Sequence, residues 1–102
     1  MVMKKLTMFY LEDCGYCAKA RRALDELGAE NPRYREVPIR MIEESREPAV
    51  ADRYDYYAVP TCFDGDRKLF EAHLFMSYED IRDEVRRVLD YALAEPGDEK
   101  VS

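Results

Sequence analysis

The spacing of apolar residues changes several times along the chain, and each change marks an element. Residues 4–11 form a run of apolar, β-branched and aromatic side chains with no helical period. That run reads as a buried strand closed by an acidic turn at Glu12-Asp13. From Gly15 the spacing lengthens. Cys17, Ala20, Leu24 and Leu27 recur at intervals of three and four, with Lys19, Arg22, Asp25 and Glu26 on other faces. This predicts a helix with Gly28 as its stop. After a turn at Asn31-Pro32, residues 34–39 alternate loosely and predict a second strand, so this part of the chain reads as a β-α-β unit.

Residues 43–57 are polar and contain Pro48. Ser45 can serve as an N-cap, and a proline in the first helical turn has no intrahelical hydrogen bond to lose, so a short helix over 46–55 is predicted. Val59-Pro60-Thr61-Cys62-Phe63 and Lys68-Leu69-Phe70-Glu71-Ala72 then read as two antiparallel strands. They join at Asp64-Gly65-Asp66-Arg67, where Asp-Gly suits the positive backbone angles of a tight hairpin. Ser77 followed by Asp80 has the form of a capping box, and Ile81, Val85, Val88, Leu89 and Ala92 trace one apolar stripe until Pro96-Gly97 ends the helix. The order is β-α-β-α-β-β-α in a single domain over residues 1–95, with 96–102 expected to be a flexible tail.

Composition narrows the function classes. The chain has 102 residues, with 16 Lys+Arg against 22 Asp+Glu and a formal net charge of -6. A domain of this length buries roughly two-thirds of its unfolded surface, enough for one thin core. Its acidic balance would repel a phosphate backbone, which disfavours nucleic-acid binding. No apolar run is long enough to span a bilayer, and residues 6–11 are too short, and lack the small-residue cleavage site, for a secretory signal. A cytoplasmic chain is the expectation. Three cysteines without such a signal argue against a disulfide scaffold. Two of them form Cys14-Gly15-Tyr16-Cys17, at the junction of the predicted first strand and first helix.

From residue 4 to about residue 93 this order resembles the thioredoxin fold, an α/β architecture with a four-stranded mixed sheet flanked by three helices, and within it the glutaredoxin-like small redoxins. Two signatures carry the likeness. Cys14-Gly15-Tyr16-Cys17 is close to the glutaredoxin dipeptide pattern, and Val59-Pro60-Thr61 matches the family's cis-proline segment in residue type and in its place before the final hairpin. The resemblance implies a cis Val59-Pro60 bond lying against the Cys14 side. There the Val59 N–H and C=O would be free to pair with an extended substrate segment. Val59, Pro60 and Thr61 thereby become candidate substrate contacts. Without the resemblance, Pro60 reads only as the end of a loop before a strand.

Thiol–disulfide exchange needs a thiolate, and an ordinary cysteine, with a pKa of roughly 8.5, is mostly protonated at neutral pH. The unpaired N–H groups and the dipole at a helix N-terminus favour the anion. Cys14 falls at that end and is the candidate attacking thiol; Cys17, further into the helix, is the candidate resolving thiol. Glu12 and Asp13 oppose a thiolate, while Lys19, Arg21 and Arg22 partly offset them, so moderate activation is expected. Tyr16 reads either as a contact to a bound disulfide or as a surface tyrosine. Cys62 reads as a small buried hydrophobe or, within reach of Cys14, as a second redox thiol. His73 reads as a polar surface residue, and Tyr54, Tyr56 and Tyr57 as the rim of the core beside the active-site loop.

Glutaredoxins that use glutathione typically place a lysine three residues before the first cysteine and a Gly-Gly after the last strand. Here Leu11 and Leu74-Phe75-Met76-Ser77 stand in those places, and Glu12 and Asp13 would repel the anionic tripeptide. The tryptophan that precedes the first cysteine of typical thioredoxins is missing, because the chain has none. The resemblance thus implies a dithiol–disulfide oxidoreductase acting on protein or low-molecular-weight disulfides. It would hold no tightly bound cofactor and be recycled by glutathione as co-substrate or by a flavoprotein reductase. Other classes remain open at this level: a tetrahedral zinc set of Cys14, Cys17, Cys62 and His73, an iron–sulfur cluster shared by two protomers through Cys14, and a redox-inactive adaptor.

Overall fold

Strand β1 (Leu6–Tyr10) occupies the middle of the sheet, as its unbroken apolar run demands. The computed structural model describes residues 4–94. β2 (Ile39–Glu43) pairs parallel with β1, from Leu6 opposite Ile39 to Tyr10 opposite Glu43. Parallel neighbours need a crossover, and helix α1 (Gly15–Glu30) supplies most of it. On the other side β3 (Thr61–Asp64) pairs antiparallel with β1, and β4 (Arg67–Glu71) antiparallel with β3, giving the order β2-β1-β3-β4. A short helix α2 (Pro48–Ala51) follows β2, and α3 (Tyr78–Leu93) closes the described chain.

Side chains of a strand alternate between faces, so β1 serves two cores. Leu6 and Met8 join Cys62 and Phe70 against Ala20, Ala23 and Leu27 of α1 and the whole apolar stripe of α3. Full burial of each large aliphatic side chain there contributes roughly 1.5–3 kcal/mol. On the opposite face Phe9, Ile42 and Phe63 form a smaller core covered by Tyr54 and Tyr56. Tyr56 stacks on Phe9 at 4.9 Å between ring centres, and Tyr54 meets it edge-on at 4.7 Å.

Three local expectations are revised. Residues 34–39 are not the second strand: Pro32–Glu36 is a 3-10 helix, begun by Pro32 and by the Asn31 side chain accepting the Arg33 N–H. Buried Tyr34 fastens it to α3 by donating its hydroxyl to Asp90 at 2.6 Å. Gly28 does not stop α1, which continues to Glu30 and ends at Asn31. The bare Gly28 surface instead admits the Arg35 side chain, since a Cβ there would lie 2.8 Å from Arg35 Cγ. The helix predicted over 46–55 shrinks to Pro48–Ala51, because both the Ser45 N–H and its hydroxyl donate to Glu43 and Ser45 caps nothing.

Elsewhere the pattern holds. The hairpin turns with Gly65 at φ 61, and the capping box of α3 is complete, with Ser77 and Asp80 each accepting the other's N–H at 3.0 Å. The stop at Pro96-Gly97 and the tail after Glu95 lie outside the described residues. α1 and α3 pack side by side, and Arg82 bridges Glu26 and Glu30 across their exposed edge.

Candidate active site

The end of β1 turns through residues 11–13 and delivers Cys14 to the N-cap of α1, in extended conformation with its N–H on the Leu11 carbonyl at 3.3 Å. Cys14 Sγ accepts the Cys17 N–H at 3.4 Å, the place a serine or aspartate oxygen usually takes at a cap. The same thiol donates to the Val59 carbonyl at 3.7 Å. Cys14 is half-buried, whereas Cys17, one turn deeper, is buried and accepts the Leu11 N–H on its own Sγ at 3.4 Å. Burial pushes the Cys17 thiol well up. The Leu11 N–H and Arg21 lower it and the adjoining Cys14 sulfur raises it further, but burial prevails. The two sulfurs are therefore unequal: one is accessible at the amide end of a helix, and one is held protonated beneath it.

The Val59-Pro60 peptide bond is cis. Its loop is fastened by Glu71 at the end of β4, whose Oε2 accepts the N–H groups of Tyr57 at 2.5 Å and Ala58 at 2.7 Å. Burial pushes the Glu71 carboxyl up, but its bonds to Lys68, Tyr57 and Ala58 outweigh that and leave it below the usual carboxylate range. Pro60 and Thr61 are fully buried. Thr61 donates its hydroxyl to the Phe70 carbonyl at 2.8 Å, and the Pro60 carbonyl accepts the Ala72 N–H at 3.0 Å. Both residues thus anchor the loop with their side chains turned inward, and Val59 and Tyr16 are the more accessible of the four candidate contacts. The Tyr16 hydroxyl accepts the Phe75 N–H at 2.7 Å, so it is tied to the segment after β4.

Among the cations near the site, Lys19 lies over the Tyr16 ring, Arg21 lies over the Tyr10 ring and favours charge on the Cys17 sulfur, and Arg22 pairs with Glu26. Arg46 pairs with Glu12 at 2.8 Å. Cys62 is buried in the larger core opposite Met8, and burial pushes its thiol up to about 12, which fits packing rather than a second redox role. His73 is exposed. Tyr54 and Tyr56 belong to the smaller core, and Tyr57 stands out in solvent. Among the described residues no group of three or more His, Cys, Asp or Glu side chains is placed to hold a metal ion, so Cys14, Cys17, Cys62 and His73 are not assembled as a zinc set. Sequence reasoning missed Glu71, Phe75 and Arg46 as neighbours of the site, since each acts on a partner far away in the chain.

A four-stranded mixed sheet flanked by helices, with a Cys-x-x-Cys pair opening the first helix and a cis-proline loop against it, defines a thioredoxin-fold protein. The family model for glutaredoxin matches residues 3–68, and the chain belongs to the glutaredoxin family, whose general activity is thiol-based oxidoreduction. Two solved structures are similar across most of the chain. A mutant thioredoxin from Halobacterium salinarum NRC-1 is 20% identical, with 89% of this chain and 76% of that one covered and a TM-score of 0.53. Thioredoxin 1 from the thermophilic eubacterium Thermosipho africanus TCF52B is 15% identical, with 88% and 99% covered and a TM-score of 0.54. At these identities the likeness is one of fold. No curated protein matches the chain significantly. Among the described residues no helix is long and apolar enough to cross a membrane.

Proposed function

We propose that the chain is a dithiol–disulfide oxidoreductase in which Cys14 attacks and Cys17 resolves. The Cys14 thiolate attacks one sulfur of a substrate disulfide, forming a mixed disulfide and releasing the other sulfur as a thiolate that takes up a proton. Cys17 then loses its proton and attacks the Cys14 sulfur. The Cys14–Cys17 bond forms, the mixed disulfide breaks, and the substrate leaves with two electrons and two protons gained. An external thiol donor, glutathione or a flavoprotein reductase, returns the electrons, as suits a protein of the reducing cytoplasm.

The observation that carries this reading is the unequal placement of the two sulfurs, Cys14 accepting an amide at the helix end and Cys17 buried one turn below. The open amide end favours negative charge on the outer sulfur. Burial keeps the inner one protonated until a mixed disulfide is within its reach. Val59, whose carbonyl faces Cys14, offers backbone for an extended substrate, supported from below by Pro60 and Thr61 and flanked by Tyr16.

Insulin reduction tests the assignment, run once with glutathione and its reductase and once with thioredoxin reductase. Cys14→Ser should abolish turnover. Cys17→Ser should accumulate the mixed disulfide, visible as a mass adduct at Cys14. Full activity in Cys14→Ser would refute the roles given to the two residues.

A further inference from the structure

Four large apolar side chains stand exposed among the described residues; two of them, Tyr57 and Leu74, line one groove, and a third, Phe75, follows Leu74 in the chain. Tyr57 is 92% exposed, Leu74 72% and Phe75 93%, while the fourth, Met41, lies on edge strand β2. Tyr57 and Leu74 line a groove of about 510 Å³ together with Tyr16, Val59 and Ala72. Val59 is also the residue whose carbonyl meets the Cys14 thiol, so the groove and the nucleophile share Val59 as a neighbour.

The segment bearing Leu74 and Phe75 is held in place. Phe75 has φ 70, a left-handed conformation that an aromatic residue rarely adopts. The Tyr16 hydroxyl holds the Phe75 N–H at 2.7 Å and so fixes this turn beside the site. Bare aromatic and aliphatic side chains fastened in an uncommon backbone conformation next to a nucleophile point to a ligand with apolar side chains.

Charge narrows the ligand further. The Glu71 carboxylate in the groove wall is turned to the Tyr57 and Ala58 N–H groups and to Lys68. On the other side of Cys14 a second hollow is lined by Glu12, Asp13 and Glu43, and the chain carries a formal net charge of -6. A neutral or basic polypeptide complements that surface, and an anionic tripeptide does not.

Resting on the dithiol reading above, we propose that this groove selects the substrate. It receives a large apolar side chain next to the half-cystine of an extended, neutral or basic polypeptide, and Tyr16 is the positioning residue that holds the turn carrying Leu74 and Phe75 at the groove's edge. The chemistry is unchanged: Cys14 and Cys17 together deliver two electrons to the peptide disulfide, and dithiothreitol recycles them in the assay.

The test uses two peptide disulfides, each a symmetric dimer through its one cysteine with a lysine flank, differing only in Phe or Ser beside that cysteine. Oxidised glutathione and 2,2′-dipyridyl disulfide serve as further probes. The wild-type chain should reduce the Phe peptide with kcat/KM about tenfold above the Ser peptide, equivalent to ~1.4 kcal/mol. Oxidised glutathione should be slower than either. In Leu74→Ser/Phe75→Ser, or in Leu74→Ser alone if the double variant fails to fold, the Phe-to-Ser ratio should drop below about twofold, since burying a large apolar side chain accounts for a preference of that size. A wild-type ratio near one, a ratio that survives in the variants, or oxidised glutathione matching the Phe peptide would overturn the groove. So would sedimentation showing a dimer of this chain that the variants dissolve, because a second copy would then be the occupant. If the wild type failed to reduce even dipyridyl disulfide, the dithiol reading itself would fall.

Discussion

Replacing Glu71 by Ala removes the clamp on the cis-proline loop, and the structure sets the size of the effect. Glu71 is about one-fifth exposed, and its two oxygens accept from Tyr57 N–H, Ala58 N–H and Lys68 Nζ. Leaving the half-buried Ala58 N–H without a partner costs about 1–3 kcal/mol. The exposed Tyr57 N–H regains water and loses about 0.5–1 kcal/mol, and the Lys68 pair adds at most about 1 kcal/mol. Together these come to about 1.5–5 kcal/mol, which corresponds to a fall in Tm of about 6 °C or more for a domain near 100 residues. Thermal unfolding followed by circular dichroism at neutral pH measures it. The pH dependence supplies a second reading. Because the folded carboxyl sits below its ordinary value, its contribution is complete above that value and is lost as pH falls through the lower folded one. The variant should therefore be less sensitive to acid than the wild type. A Tm shift under about 3 °C, or an unchanged acid limb, would refute the clamp.

Other outcomes follow from the packing and the cap. Ser77→Ala removes the acceptor of the Asp80 N–H and half of the capping box, and should cost about 1 kcal/mol in denaturant unfolding with no change in the m-value. Cys62 should resist iodoacetamide in the native protein and react once denaturant unfolds the larger core, because burial keeps its thiol protonated and out of reach. Labelling of Cys62 under native conditions would contradict its place in that core.

Much of the fold was legible because burial is one-sided. The α3 stripe from Ile81 to Ala92 is apolar at helical spacing and every member is buried, so period and packing agree. β1 is buried by both cores and announces itself by lacking any polar face. β2 failed as a reading because it is an edge strand with only Ile42 buried, while Tyr34 and Val37 ahead of it carry the stronger apolar signal. Those two lie three residues apart, the spacing at which a 3-10 turn stacks side chains. At the site, Cys14 and Cys17 were legible because one helical turn brings them together. The bonds from Glu71 to Tyr57 and from Tyr16 to Phe75 join residues 14 and 59 positions apart, and no local pattern encodes such a contact. Thr61 was named by its motif alone, and its inward bond to the Phe70 carbonyl is a contact that the motif does not encode.

The paired-sulfur account stands or falls on the peptide map of the native protein after mild oxidation with diamide. It predicts loss of two hydrogens, a single bond between residues 14 and 17, residue 62 still a free thiol, and full reversal by dithiothreitol. Sulfurs 14 and 17 left unlinked, or a bond that involves residue 62, would contradict it.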